Sequence, residues 1–331
     1  MCTRIETIRL PKWRSQLNML LAVPDRVPFQ VAYYRSSAMT RLVDELAREP
    51  WDLAFGHMFR ILPYLERIDA PRVLDLCDSL ALNLERAMRV KPWFARPAFA
   101  QELSRVRRFE RDAMGAVRET WVVTALDRAD LLARDPTARV EVVPMGVSPT
   151  WGLAGLEGPK EDAVLFLGNL TVGHNVDAAI YLAEEIWPLV RKRRTGARLL
   201  LVGKLNARSR RLGNLPGVST LGFVADLAPI LSRARVSVTP IRYGAGIQTK
   251  LLETMAAGLP MVASELAAAP VGAEDGREIL VGRTAAELAD ALVRVLSDDA
   301  LARRIGEAGS RWVRARFSWE RAGERLVELL G

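Results

Sequence analysis

The chain has 331 residues, half of them apolar and 26% charged, which is enough for two ordinary domains with their own cores and argues against disorder. A formal net charge of +8 favours acidic partners, yet Arg and Lys are scattered, and with no basic and aromatic interleaving the sequence points away from nucleic acid. Only Cys2 and Cys77 are present, too few for a disulfide scaffold, and neither a signal-peptide core nor a run near the roughly 20 apolar residues of a membrane span occurs, so a cytoplasmic protein is expected.

In chain order, "RIETIRL", "WDLAFGH", "PRVLDLCD", "ETWVVTA" and "VEVVPMG" are strand candidates of the first half. Helical patterns such as "SSAMTRLVDELARE" and "ELSRVRRFERDAMGAV" separate them. The turn-rich run from Gly146 to Asp162 then reads as a linker, giving domains over 1–147 and 163–331 joined by 148–162. The second half is written more clearly. "AVLFLGNL" is a strand ending at Gly168, "NVDAAIYLAEEIWPLVRKR" an amphipathic helix, and "ARLLLVGK" a strand ending at Gly203. "VSTLGFV", the short helix "LAPILSRA", "RVSVTPI", a strand at Met261, "EILV" and helices from Ala285 onward follow. Strands alternating with helices mean a parallel sheet covered on both faces, and ligands of such sheets sit beyond the strands' carboxyl ends. Gly168, Gly203, Gly222 and the loop at 244–246 all fall there.

The stretch "GAGIQTKLLETMAAGLPMVAS" joins a glycine loop to a helix over Thr249–Ala257, ended by Gly258 and Pro260, and then to a buried strand. Glycines before a helix N-terminus let an anion approach unpaired N–H groups, although a tight α/β connection alone would use the same residues.

In this order the motifs resemble the retaining glycosyltransferases of the group 1 type, glycosyltransferase family 4, with the GT-B fold. The resemblance rests on "VVPMGVSPTW", "VLFLGNL", "LLLVGK", "LGFVADLAPILSRARVSVTPIRYGAGIQTKLLETMAAGLPMVAS" and "FSWERAGERLVELL", and covers the chain from Arg4. It implies two Rossmann-like domains whose parallel sheets face a central cleft. "RYGAGIQTKLLE" and "QVAYYRSSAMTRLV" are most similar to sugar transferases of exopolysaccharide and exosortase loci.

The resemblance also assigns residues. Glu253 matches the carboxylate that grips the donor ribose, a task suited to a group accepting two hydrogen bonds. The bland alternative is a surface Glu pairing with Lys250. Gly244, Ala245, Gly246, Ile247, Gln248, Thr249, Lys250 and Leu251 match the segment that holds the donor diphosphate and sugar. Lys250 stands in the first helical turn, where a cation is unfavourable unless an anion is bound. Gly168, Gly203, Phe223 and Val224 match strand-end loops around the donor, the last two near the base. The family's first Glu is replaced by Ala245. Its Arg and Lys after the first strand fall at Asn169 and His174, neither a secure cation at neutral pH. That leaves Lys204, Arg242 or Lys250 to supply the charge, with His174 otherwise a helix-start residue.

In the first domain His57, just after a strand, matches an active-site His that contacts donor phosphate or acceptor, the alternative being a packed loop His. Asp78 is an acceptor-side candidate or the cap of the next helix. The family's opening strand and Gly-rich loop do not precede Arg4, so the first domain is expected to be incomplete through a truncated reading frame. The implied reaction is metal-independent transfer of a sugar from a nucleotide diphosphate donor to an acceptor hydroxyl with retention, needing no cofactor. The acceptor would be saccharide or lipid-linked. The basic, aromatic-flanked "ERAMRVKPWFARPAFAQELSRVRRFER" could lie peripherally on an anionic membrane at its inner face, or be a solvated helix face. A catalytically silent nucleotide-sugar-binding module and a nucleotide-sugar 2-epimerase are the competing classes.

Overall fold

The computed structural model describes residues 3–147 and 160–331. It divides into two compact units, Met1–Val143 and Pro144–Gly331. Most of the sequence-assigned linker, residues 148–159, lies outside the described residues. Val147 packs with the second unit rather than the first, because its N–H donates to the Phe317 carbonyl at 2.8 Å.

The first unit is built on strands β1 (Ala54–His57), β2 (Arg72–Cys77), β3 (Glu119–Val122) and β4 (Val140–Val142). They pair in that order, all parallel. Its helices of eight or more residues are α1 (Lys12–Leu21), α2 (Ser37–Leu46), α3 (Leu80–Val90), α4 (Arg96–Ala116) and α5 (Ala125–Leu132). Helix α4 buries Leu103 and Val106 against Ala81 and Leu84 of α3, and Ala113 and Met114 against the sheet core. Leu74, Val122 and Leu131 fill the core beneath. The expected strand "RIETIRL" does not form: residues 4–10 are irregular and Ile5 is 78% exposed. Alternation alone cannot make a strand, because its backbone needs a neighbour to complete the hydrogen-bond ladder.

The second unit carries β5 (Ala163–Leu167), β6 (Arg198–Val202), β7 (Val218–Gly222), β8 (Val236–Thr239), β9 (Met261–Ser264) and β10 (Leu280–Gly282). The order is β10-β9-β8-β5-β6-β7, again all parallel. Every residue of β5 and β8 is buried, as both faces of a parallel sheet are covered; β5 reads as a continuous apolar run, while β8 buries Ser237 and Thr239 between its valines. Helices α6 (Gly173–Tyr181), α7 (Thr249–Ala256), α8 (Ala285–Ser297), α9 (Asp299–Arg316) and α10 (Trp319–Leu330) complete it. A π-helical turn over Leu182–Ile186 carries α6 on to Arg193. The chain leaves β5 toward β7 on one side and β8 toward β10 on the other. The carboxyl ends of β5 and β8 therefore flank the point where strand order reverses, the place where open α/β sheets bind ligands.

Candidate functional site

At that reversal, β5 ends in Gly168 and Asn169, and β8 runs into the loop Arg242 to Gln248 that opens α7. Close backbone approach shapes the floor. A Cβ on Gly203, at φ +136°, would collide with the Gly168 carbonyl oxygen, so the backbones beyond β5 and β6 converge only because residue 203 is glycine. Gly246, at φ +65°, turns the second loop back toward α7.

Two helix N-termini point at the reversal, and neither α6 nor α7 has a side-chain cap or an acidic residue in its first turn. Six other helices are capped, Ser36, Ser79, Thr124, Thr284, Asp298 and Ser318 accepting from the first turns of α2, α3, α5, α8, α9 and α10, whereas α1 and α4 also start without a side-chain cap. The Lys250 ammonium crosses from α7 to hydrogen-bond the Asn175 side-chain oxygen on α6 and, at 3.0 Å, that of Gln248. It also lies 5.7 Å from the centre of the Phe166 ring. Burial without a counter-charge lowers its pKa to about 8. Asn175, itself buried, donates its amide to the Asn169 carbonyl at 3.2 Å, which aims its oxygen at the lysine. His174 stacks edge-on to Tyr243, and burial together with Lys250 lowers its pKa to about 4, so it is neutral at pH 7. The Asn169 side chain is turned back onto Thr171.

Arg242, a sequence candidate for the missing cation, is already committed. Its guanidinium makes a two-pronged pair with Asp177 at 2.8 and 2.9 Å and lies over the Tyr181 ring, and the Asp177 hydrogen bond raises its pKa. Lys204 stands exposed beyond β6. Glu253 is half-buried on α7, burial raises its pKa, and among the described residues it meets no cation. The pairing with Lys250 considered for it does not form. Ala245 and Ile247 are buried, Thr249 is exposed, and Leu251 is fully buried in the core. Phe223 is 70% exposed, whereas Val224 packs among Leu167, Val202 and Leu231. Asn175 and Asp177 escaped the sequence reading. Their signal was a polar residue in the first turn and an acidic one just beyond it, in the helix that follows a glycine-ended strand.

A cavity of about 730 Å³ lined by Lys160, Arg235, Pro260 and Asp299 opens at the amino ends of β8 and β9, the opposite end of the sheet. Strand-end chemistry decides for the reversal point over this cavity.

In the first unit His57 ends β1 and pairs in register with Asp75 of β2. Its Nδ1 lies 2.9 Å from Asp75 Oδ2. Cys77 closes β2 at φ +65°, with its N–H donating to Asp75 Oδ1 at 2.9 Å. Burial and Asp75 push the Cys77 thiol up to about 12. Asp78 follows, and burial with Asp127, Glu110 and Asp75 nearby raises its pKa to about 7. It does not cap α3: Ser79 does, and Glu110 accepts from the Leu80 and Ala81 N–H groups at 2.8 and 3.3 Å. This helix N-terminus is thus satisfied by the protein's own carboxylate, unlike those of α6 and α7.

The two units of parallel α/β sheet have the fold of the GT-B glycosyltransferases. The structure of TarM from S. aureus superposes with a TM-score of 0.71 at 14% identity, covering 91% of this chain and 58% of that one. Anabaena HepE in complex with UDP-glucose superposes at 0.67 and 14% identity, covering 89% and 82%. Residues 161–298, within the second unit, match the family model "Glycosyl transferases group 1". A curated relative, the GDP-mannose-dependent alpha-(1-6)-phosphatidylinositol monomannoside mannosyltransferase of Mycobacterium tuberculosis, is 31% identical over 159 residues, 43% of this chain and 41% of the relative. The chain thus spans about two fifths of the length of that relative. These relatives are mannosyltransferases, and the expected kinship with exopolysaccharide and exosortase loci rests on the resemblance alone.

Proposed function

We propose that the protein transfers a sugar from a nucleotide diphosphate donor to an acceptor hydroxyl, with retention at the anomeric carbon, in glycolipid or polysaccharide biosynthesis. The observation that carries this reading is Lys250: a buried ammonium held only by neutral side chains, beside two uncapped helix N-termini, at the strand reversal. A desolvated cation with no carboxylate partner is stabilised when an anion arrives, and a diphosphate leaving group is such an anion. In this reading Lys250 and the N–H groups of α6 and α7 neutralise the departing diphosphate without a metal. Glu253 accepts from the ribose hydroxyls, which accounts for its lack of a cation partner. His57 serves the acceptor or donor phosphate from the first unit.

The mannosyltransferase relatives favour a GDP-linked donor, and the UDP-glucose complex of HepE keeps a UDP-linked donor in the test. A lipid-linked acceptor also draws support from Trp93 and Phe94, which are 78% and 70% exposed at the start of α4 beside Arg89 and Arg96. Among the described residues no helix is long and apolar enough to cross a membrane.

The test is a thermal-shift titration with UDP, GDP, ADP and their sugars, on the native chain and on Lys250→Met. Stabilisation by one nucleoside diphosphate, lost in the variant, is the expected result. No shift with any nucleotide overturns the reading. The neutral His174 and the turned-back Asn169, standing where the family places cations, favour one competitor, a silent binding module. Donor binding without turnover on lipid or saccharide acceptors would select it.

A further inference from the structure

The first unit holds a cluster that the transfer reading uses only in part. Parallel pairing sets His57 beside Asp75 on one face of the sheet. Cys77, two residues on, follows a bulge in β2 at φ +65°, and its Sγ comes near both the His57 ring and the Asp75 carboxylate. The three donor atoms all lie within 4.8 Å of one another.

We propose that His57, Asp75 and Cys77 form a binding site for a borderline-soft divalent ion, zinc foremost, at the carboxyl edge of the first sheet. Imidazole, carboxylate and thiolate together are the donor set that zinc accepts and that magnesium and calcium do not. The triangle also fits. With zinc bonds of 2.0–2.3 Å and tetrahedral angles, the edges between ligand atoms come to about 3.4 Å for N to O and about 3.6 Å for S to N and S to O. Here Cys77 Sγ lies 3.6 Å from Asp75 Oδ2 and 3.7 Å from His57 Nδ1, and the nitrogen to oxygen edge is 2.9 Å. Two edges already match, and the third opens by about half an ångström when the hydrogen bond gives way to the ion.

The surroundings complete the site. Asp75 uses its other oxygen, Oδ1, to accept from the Cys77 N–H, which fixes the carboxylate and leaves Oδ2 for the ion. His57 is 62% exposed, so the fourth position faces solvent and would carry water. A coordinating thiol gives up its proton to the ion. This site needs no nucleotide and lies in the other unit from the donor seat, so either can be present without the other.

The experiment is zinc competition against a chromophoric chelator on the full chain, with His57→Ala, Cys77→Ser and Cys2→Ser alongside, each first checked for folding by circular dichroism. Expected is one equivalent of zinc, bound at least about tenfold more weakly in His57→Ala and in Cys77→Ser and unchanged in Cys2→Ser. Cobalt(II) substitution gives a second readout: a thiolate charge-transfer absorption in the native chain, absent in Cys77→Ser, needs the sulfur in the coordination sphere. Zinc bound equally well by the folded His57→Ala and Cys77→Ser variants, or binding that follows Cys2, overturns the site. So does native protein that fails to compete with the chelator.

Discussion

Lys250, in the first turn of α7, gives its ammonium to the side-chain oxygen of Asn175, in the first turn of α6, so that one hydrogen bond ties the two helix starts on either side of the strand reversal. The two helices follow different strands, β8 and β5, and the contact spans 75 residues of sequence. It places a cation where two helix dipoles already make the potential positive, an arrangement that costs stability until an anion fills it.

That cost has a pH signature. The folded pKa of Lys250 is about 8 against an ordinary 10.5, so between those values the unfolded chain binds more protons than the folded one. The ligand-free protein should therefore gain stability from this group as pH rises from about 8 to 10.5, and Lys250→Met should flatten that gain. Affinity for a nucleoside diphosphate should move the other way, weakening by up to about tenfold per pH unit above 8 as the ammonium is lost. Urea melts and nucleotide titrations at pH 7.5, 8.5 and 9.5 read both.

Gly203→Ala tests the floor of the seat. The added methyl would meet the Gly168 carbonyl oxygen, and φ +136° is hostile to any L side chain. A loss of about 3 kcal/mol or more in urea unfolding is expected, together with loss of nucleotide binding. Gly196→Ala, where a Cβ meets nothing within 4 Å, should be neutral.

Asp78 supplies a prediction of opposite pH sign in the first unit. Its carboxyl is raised to about 7 from 3.8 by burial and by Asp127, Glu110 and Asp75. The folded chain then holds a proton that the unfolded chain releases, so stability from this group is lost as pH climbs toward 7. Asp78→Asn should stabilise the protein at pH 8 and have little effect at pH 4. Equal effects at both would show that folding leaves the Asp78 pKa unshifted.

Arg134 holds the caps of α3 together. It pairs with Glu110 at 2.6 Å, reaches Ser79 Oγ at 2.9 Å and also binds Asp130. Glu110 is nearly inaccessible, so Arg134→Met strands a buried carboxylate and should cost about 3 kcal/mol. Adding Glu110→Gln should recover part of that loss, a coupling that a double-mutant cycle measures.

The second sheet was legible in the amino-acid string because β5 is buried on both faces and, like Leu199–Val202 of β6, reads as an apolar run ending at a glycine. The helix at Thr249 was legible from its stripe and from Gly258 and Pro260. The loop Gly244 to Gln248 and Glu253 were reached through motif order, since a half-buried carboxylate without a partner leaves no periodic mark. Residues 4–10 alternate like a strand yet form none, because alternation records which side chains are apolar and says nothing of a pairing backbone. What the folded chain alone decided is which charges are already spent. Arg242 and Lys250 look interchangeable in sequence, but Asp177 lies within reach of one and only neutral side chains within reach of the other. Likewise His57, Asp75 and Cys77 stand up to 20 residues apart and meet only through strand register. Local pattern is set by neighbours along the chain, whereas pairing of charges and donors depends on distances that only packing creates.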